Sequence, residues 1–216
     1  RLGLVVVDEQ HRFGVADRKR LVAKGDNPHL LVMSATPIPR TLALAVHGDL
    51  DISTLDEKPP GRKPIATRAM PLERLEDVVA ATERAIARDD RVYWVCPLVE
   101  ESETLDLSAA ENRFKQLQEC FGNTVALVHG RLTGKAKDAA LESFRSGECK
   151  ILVATTVIEV GVDVPEASVM VIEHSERFGL AQLHQLRGRV GRGGKPGACL
   201  LLYSNPLGET AKKRLE

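Results

Sequence analysis

The amino-acid sequence predicts an α/β fold built on a parallel sheet with flanking helices, and three observations predict it. Short continuous runs of Val, Ile and Leu recur along the chain, the signature of strands buried on both faces. Stretches of helical periodicity separate them. The segment Asp56-Glu-Lys-Pro-Pro-Gly-Arg-Lys-Pro64 then breaks the alternation with three prolines and one glycine in nine residues, the composition of a linker.

Before that linker the candidate strands are Leu4–Val7 and Leu30–Met33. An apolar run starts straight after Arg1 with no initiator Met, so residues 1–55 read as the later part of a domain. Beyond residues 56–64 the strands are Ile65–Met70, Val92–Cys96, Val125–Val128, Ile151–Ala154, Val169–Ile172 and Cys199–Tyr203, enough for a domain over 65–205 that folds alone. Glu73–Ala87 sets Leu75, Val78, Val79, Thr82 and Ile86 along one helical face, and Thr133 suits the N-cap of a helix running to Phe144. The acidic run Glu100, Glu101, Glu103 and Asp106 reads as a solvated loop. Tyr93 and Trp94 read as packing residues in a strand.

With 43% apolar residues the chain buries an ordinary core. Thirty basic residues balance thirty acidic ones, so only local patches bear on a polyanionic partner, and Arg187, Arg189, Arg192 and Lys195 form one such patch. The four cysteines are widely spaced with no C-x-x-C pair, which predicts free thiols in a reducing compartment. No apolar run approaches the roughly 20 residues that span a bilayer, so no membrane partner and a cytoplasmic location are expected.

Val5-Val-Val-Asp8-Glu9 ends an apolar strand in two acids. One carboxylate there can hold Mg²⁺ through water while the next orients or deprotonates an attacking water, although two acids can equally well just end a strand. Arg189 and Arg192 stand three apart, so both can leave one side of a helix, as phosphate-reaching groups or as part of an exposed basic helix on DNA phosphates. No G-x-x-x-x-G-K-[ST] phosphate loop occurs: Gly130-Arg-Leu-Thr-Gly134-Lys135-Ala136 has three intervening residues and Ala where a hydroxyl would hold Mg²⁺.

Taken in order, these segments resemble superfamily 2 helicases. Asp8-Glu9-Gln10-His11 resembles motif II, and Ser34-Ala35-Thr36-Pro37 resembles motif III, with helix capping as the plainer role for Ser34 and Thr36. Val128-His129-Gly130-Arg131 resembles motif IV, although His129 can equally be a turn residue. Ala154-Thr155-Thr156-Val-Ile-Glu-Val-Gly161-Val-Asp163 resembles motif V, and Gln182-Leu-His-Gln185-Leu-Arg-Gly-Arg189-Val-Gly-Arg192 resembles motif VI. The resemblance implies catalysis by Asp8, Glu9, Arg189 and Arg192, with Mg²⁺ held by Asp8 through water. It implies nucleotide contacts from Asp8, Glu9, His11, Gly161, Asp163, Gln185, Arg189 and Arg192, the arginines reaching a γ-phosphate across a domain cleft. Ser34, Thr36, His129, Gly130, Thr155 and Thr156 would contact nucleic acid or couple it to the nucleotide.

The longer stretch Phe178–Arg192 is similar to the RecG and Mfd families of double-stranded-DNA translocases. Gln10, Leu55–Arg62 and Tyr93-Trp-Val-Cys-Pro97 resemble the RecG form. That likeness implies two RecA-like motor domains. Residues 1–55 would be the C-terminal part of the first, 65–205 the second, and 206–216 the start of a C-terminal helical extension. It also implies ATP with Mg²⁺ and remodelling of branched DNA, such as stalled forks and four-way junctions, in recombination and repair. Without a phosphate loop the chain alone is expected to lack ATPase activity. An Mfd-like role, a non-enzymatic DNA-binding module, and dimerisation through an exposed sheet edge are the other readings.

Overall fold

The computed structural model describes residues 2–8, 14–34, 51–57, 62–97, 103–155 and 164–215. The chain divides into two compact units, Arg1–Glu57 and Lys58–Glu216, the division falling inside the proline-rich segment.

In the first unit, strand β1 (Leu4–Val7) leads through helix α1 (Val15–Val22) to strand β2 (His29–Val32). The strands pair in parallel, with Val5 opposite Leu30 and Val7 opposite Val32. Val5 and Val7 are buried while Leu4 and Val6 stay exposed, the period-2 alternation of a strand. β2 begins at His29, one residue before the apolar run, because His29 N donates to Gly3 O at 2.9 Å and so extends the pairing. Gly25 closes the turn before β2: a Cβ there would stand 2.5 Å from Leu2 O, so no other residue fits without moving the backbone.

The second unit holds β3 (Ile65–Pro71), β4 (Arg91–Val95), β5 (Val125–Val128), β6 (Ile151–Ala154), β7 (Ala167–Ile172) and β8 (Gly197–Tyr203). They form one six-stranded sheet in the order β3-β8-β7-β4-β6-β5, every neighbouring pair parallel. Helices α2 (Leu75–Ala87), α3 (Glu103–Phe121), α4 (Gly134–Ser146) and α5 (Leu180–Arg187) lie along the connections, and α6 (Glu209–Leu215) follows β8. This is the α/β architecture that the apolar runs predict, with all six strands in place. β7 and β8 start earlier than those runs, at Ala167 and Gly197, because small residues there still pair with β4 and β3.

Successive residues of each strand enter opposite cores. Val92, Trp94, Ile151, Val153 and Val171 face α2 and α3, where Val78, Ala85, Ala110 and Leu117 meet them. Tyr93, Val95, Leu152, Met170 and Ile172 face α4 and α5, against Phe144, Leu183 and Leu186. Burial on both faces is why these strands read as unbroken apolar runs. Tyr93 and Trp94 are fully buried, and the Tyr93 ring packs on Phe144 with centroids 5.0 Å apart. They are packing residues, as expected.

Two local expectations need correction. The helix expected from Glu73 begins later: Pro71 ends β3, Leu72–Arg74 forms a 3₁₀ turn, and α2 starts at Leu75. The acidic run is not a loop throughout, since Glu103 and Asp106 lie in α3 while Glu100 and Glu101 fall outside the described residues. Acids in a first turn complement the helix dipole, so a charged run is compatible with a helix start. Thr133 does cap α4, its Oγ1 accepting from Ala136 N at 3.4 Å, and Gly147 ends that helix at φ 84°.

A buried carboxylate ties α3 to the sheet. Glu173, directly after β7 and 5% exposed, accepts from Trp94 Nε1 at 2.5 Å and from both Nε and Nη2 of Arg113 at 2.5 and 3.0 Å. Glu173→Ala would leave Arg113 and the indole N–H without their acceptor. We expect a loss of about 3 kcal/mol in urea-denaturation stability, the usual range for stripping one partner from a buried pair. Thr133→Ala should lose about 1 kcal/mol in the same assay.

All four cysteines are free thiols, with Cys96, Cys149 and Cys199 buried and Cys120 exposed. Burial pushes the Cys96 thiol above its ordinary range and that of Cys199 up to about 12. Native labelling with an aromatic disulfide at pH 8 should therefore modify Cys120 alone, and four thiols should react after unfolding. Because the raised groups favour the neutral thiol in the fold, their contribution is complete below the unfolded-state pKa near 8.5 and is lost as pH rises from there toward 12.

Candidate functional site

In the first unit the structure brings two predicted residues to one end of a strand pair. Asp8 directly follows β1, and Ser34 stands two residues beyond the end of β2. Val7 faces Val32, and Met33 N donates to Val7 O at 2.8 Å, so both side chains leave the C-terminal edge of the same parallel pair. Asp8 and Ser34 are exposed. Each carries an oxygen donor of the kind that suits a hard cation. Glu9, Gln10, His11 and Thr36 lie outside the described residues.

In the second unit β5 and β6 present a comparable edge. Val128 pairs with Ala154, and Thr155 N donates to Val128 O at 3.3 Å, so His129 and Thr155 emerge side by side at the C-terminal ends of the two strands. Both are buried, at 8% and 1% exposure, yet His129 Nδ1 and Thr155 Oγ1 have no hydrogen-bond partner among the described residues. Orphaned buried polar atoms are uncommon and each costs about 1–3 kcal/mol unless something outside the fold satisfies it. Gly130 follows, exposed. Thr156, Gly161 and Asp163 lie outside the described residues.

The arginine segment stands at the opposite edge of the same sheet. Gln185 is half-buried on α5, but that helix stops at Arg187 with Gly188 as its C-cap. Arg189 and Arg192 therefore do not share a helix face, contrary to the expectation drawn from their spacing. The cause is Gly191: it sits at φ 71°, a backbone conformation that ends a helix, and its N–H donates to Ala167 O at the start of β7, 3.1 Å away. Gly193 lies flat on the backbone before β7, where a Cβ would stand 2.4 Å from Pro165 O. Gly188 O accepts from Arg192 Nε at 3.0 Å and from Arg62 Nη2 at 2.7 Å. Arg189 is half-buried and Arg192 exposed.

The sequence-defined basic patch thus separates. Lys195 turns to the Asp90 carboxylate and to Asp89 O, each at 3.2 Å. Arg187 turns to His184 Nδ1 at 3.2 Å and, with Lys213 and Arg214, lines a cleft of about 390 Å³ beside β3 and β8. Three connecting residues went unread in the sequence: Arg62, Glu173, and Arg214, which donates to Phe178 O and Glu176 O at 2.8 and 3.0 Å. For Arg62 the only signal was a cation inside a linker. Its partner lies 126 residues away, beyond the reach of any local period.

Comparison with known proteins identifies the family. The model of the helicase conserved C-terminal domain matches residues 72–194, more than half of the chain. The ATP-dependent DNA helicase RecG of Acidithiobacillus ferridurans is 56% identical over 99% of the chain, which covers 31% of that relative. The ATP-dependent DNA helicase RecG of Escherichia coli K12 is 53% identical over the whole chain, covering 32% of the relative. The chain thus spans about a third of the length of these curated relatives. A solved structure of RecG bound to a three-way DNA junction superposes on 100% of the chain with a TM-score of 0.78 at 47% identity, over 27% of that structure's chain. The chain belongs to the helicase conserved C-terminal domain family, and its full length is similar to the RecG ATP-dependent DNA helicases.

Proposed function

We propose that this chain is motor sequence of an ATP-dependent double-stranded-DNA translocase that remodels branched DNA in recombination and repair. The observation that carries the reading is a pair of buried groups, His129 Nδ1 and Thr155 Oγ1, set together at the C-terminal edge of β5 and β6 with no partner among the described residues. Strand-end hydroxyls and backbone amides are suited to nucleic-acid phosphates, which fix register without reading sequence. A RecG relative bound to a three-way junction supports branched duplex as the substrate class. On this reading Ser34, Thr36, His129, Gly130, Thr155 and Thr156 serve the DNA backbone or couple it to the nucleotide.

Asp8 and Glu9, with His11, Gly161, Asp163 and Gln185, serve ATP, and Arg189 and Arg192 stabilise charge on the transferred phosphoryl group. Asp8 fits Mg²⁺ held through water: it is an exposed carboxylate directly after β1, at the C-terminal edge of the strand pair that also carries Ser34. No group of three or more His, Cys, Asp or Glu clusters among the described residues, and Mg²⁺ commonly keeps several waters rather than an all-protein cage. The cation would neutralise phosphate charge. With no phosphate loop in its sequence, the isolated chain is expected to show no ATP hydrolysis.

In the full-length protein, Arg189→Ala and Arg192→Ala should each lower DNA-stimulated ATP turnover by about 10³-fold or more, the scale of arginine-finger removal in related systems. Turnover within a few-fold of the parent would overturn their assignment. Thr155→Val keeps the side-chain shape and removes only the hydroxyl. It should weaken binding to forked duplex by about 1 kcal/mol while leaving the salt slope unchanged, because a hydroxyl releases no counterion. Unchanged affinity in a titration from 50 to 200 mM salt would remove Thr155 from the DNA contact.

A further inference from the structure

We propose that Arg62, a residue of the proline-rich linker, is a positioning residue for the arginine segment. The proposal rests on the reading that Arg189 and Arg192 serve ATP turnover. Arg62 Nη2 donates to Gly188 O at 2.7 Å, a short bond of the charge-assisted kind. That oxygen is the C-cap carbonyl of α5 and also takes Arg192 Nε at 3.0 Å, filling both of its acceptor positions. One carbonyl therefore joins the linker to Arg192.

The surroundings make this more than a surface contact. Arg62 is half-buried, and three residues on, Ile65 starts β3 opposite Gly197. Ile65 Cγ1 stands 3.6 Å from where a Cβ on Gly191 would be and 3.1 Å from one on Gly197. Linker, strand start and arginine segment are thus in van der Waals contact, tightest at Gly197. Cation charge at a helix C-terminus is favourable in its own right. Past the end of α5 at Arg187, the backbone bonds Gly188 N to His184 O at 2.9 Å, Arg189 N to Leu186 O, Val190 N to Arg187 O at 3.4 Å and Gly191 N to Ala167 O shape a turn rather than a further helical stretch. The Arg62 clamp sets where this turn begins, and so where Arg189 and Arg192 stand.

The test compares Arg62→Ala, Arg62→Lys and Arg192→Ala in the full-length protein, reading ATP kcat and KM with duplex DNA, amide exchange over residues 186–193, and Tm. For Arg62→Ala we expect kcat to fall on the order of tenfold, since small misplacement of catalytic groups is costly, with KM for ATP within about twofold. Exchange at Val190 and Gly191 should quicken while Tm holds. Arg62→Lys, which keeps a cationic donor, should recover part of both effects. Parental kcat and parental exchange in Arg62→Ala would overturn the proposal, as would loss of kcat with exchange raised evenly across the sheet. If Arg62→Ala melts lower, Arg62→Met, which keeps the apolar stem and removes the donor, carries the same two readouts, and parental values of both in Arg62→Met overturn the proposal. Near-normal turnover in Arg192→Ala would instead sink the underlying reading, and exchange in Arg62→Ala would still report whether the clamp exists.

Discussion

Every inner strand of the six-stranded sheet buries both of its faces, and the placement of the candidate site in the second unit follows from that constraint. A parallel strand covered on two sides offers polar groups mainly at its ends, because a polar side chain within it is buried, as Ser168 of β7 is. Ile151 to Ala154 are all fully buried, and the first polar residue of that segment, Thr155, comes at the first position past the strand. His129 occupies the same position past β5. Chemistry is thereby pushed to the two edges of the sheet.

The two edges are built differently. At the C-terminal edge, side chains stand on strand ends and inherit the rigidity of the ladder, and two of them, His129 and Thr155, carry buried polar atoms with no partner among the described residues. At the N-terminal edge of β7, β8 and β3, the arginine segment is held instead by its glycines. Gly191 and Gly193 let the backbone lie directly on Ala167 and Pro165, and Gly197 leaves space for Ile65. A Cβ at Gly193 would push against Pro165 O, while at Gly191 the positive φ rather than the space excludes other residues. β6 is four residues long, so the two edges stand ~13 Å apart along a strand at about 3.3 Å per residue. Movement at one edge can reach the other only through the sheet or the helices packed on it.

One such helix, α3, is fastened by Glu173. Its carboxylate accepts from a sheet tryptophan and a helix arginine, so a single buried charge fixes α3 relative to β4 and β7. Burying that charge is tolerable because each acceptor oxygen has a donor. It also sits beside Cys96, where burial, and secondarily the Glu173 charge, raises the thiol.

The sequence by itself determined the strands, the linker and the identity of the candidate residues, because all three are written in local signals. Continuous Val/Ile/Leu runs mark doubly covered strands, three prolines in nine residues mark a linker, and acids or hydroxyls at strand ends mark exposed chemistry. It also located the Thr133 cap and the packing roles of Tyr93 and Trp94. Only the tertiary structure decided which residues share an edge. The spacing of Arg189 and Arg192 suits a helix, and the chain makes a turn there because Gly191 bonds to Ala167, a strand start far away in sequence. Lys195 left the basic patch for Asp90, and Arg62 joined the arginine segment across 126 residues. Periodicity reports the geometry of neighbours along the chain, whereas a carbonyl shared between two distant guanidinium groups exists only once the sheet has brought them together.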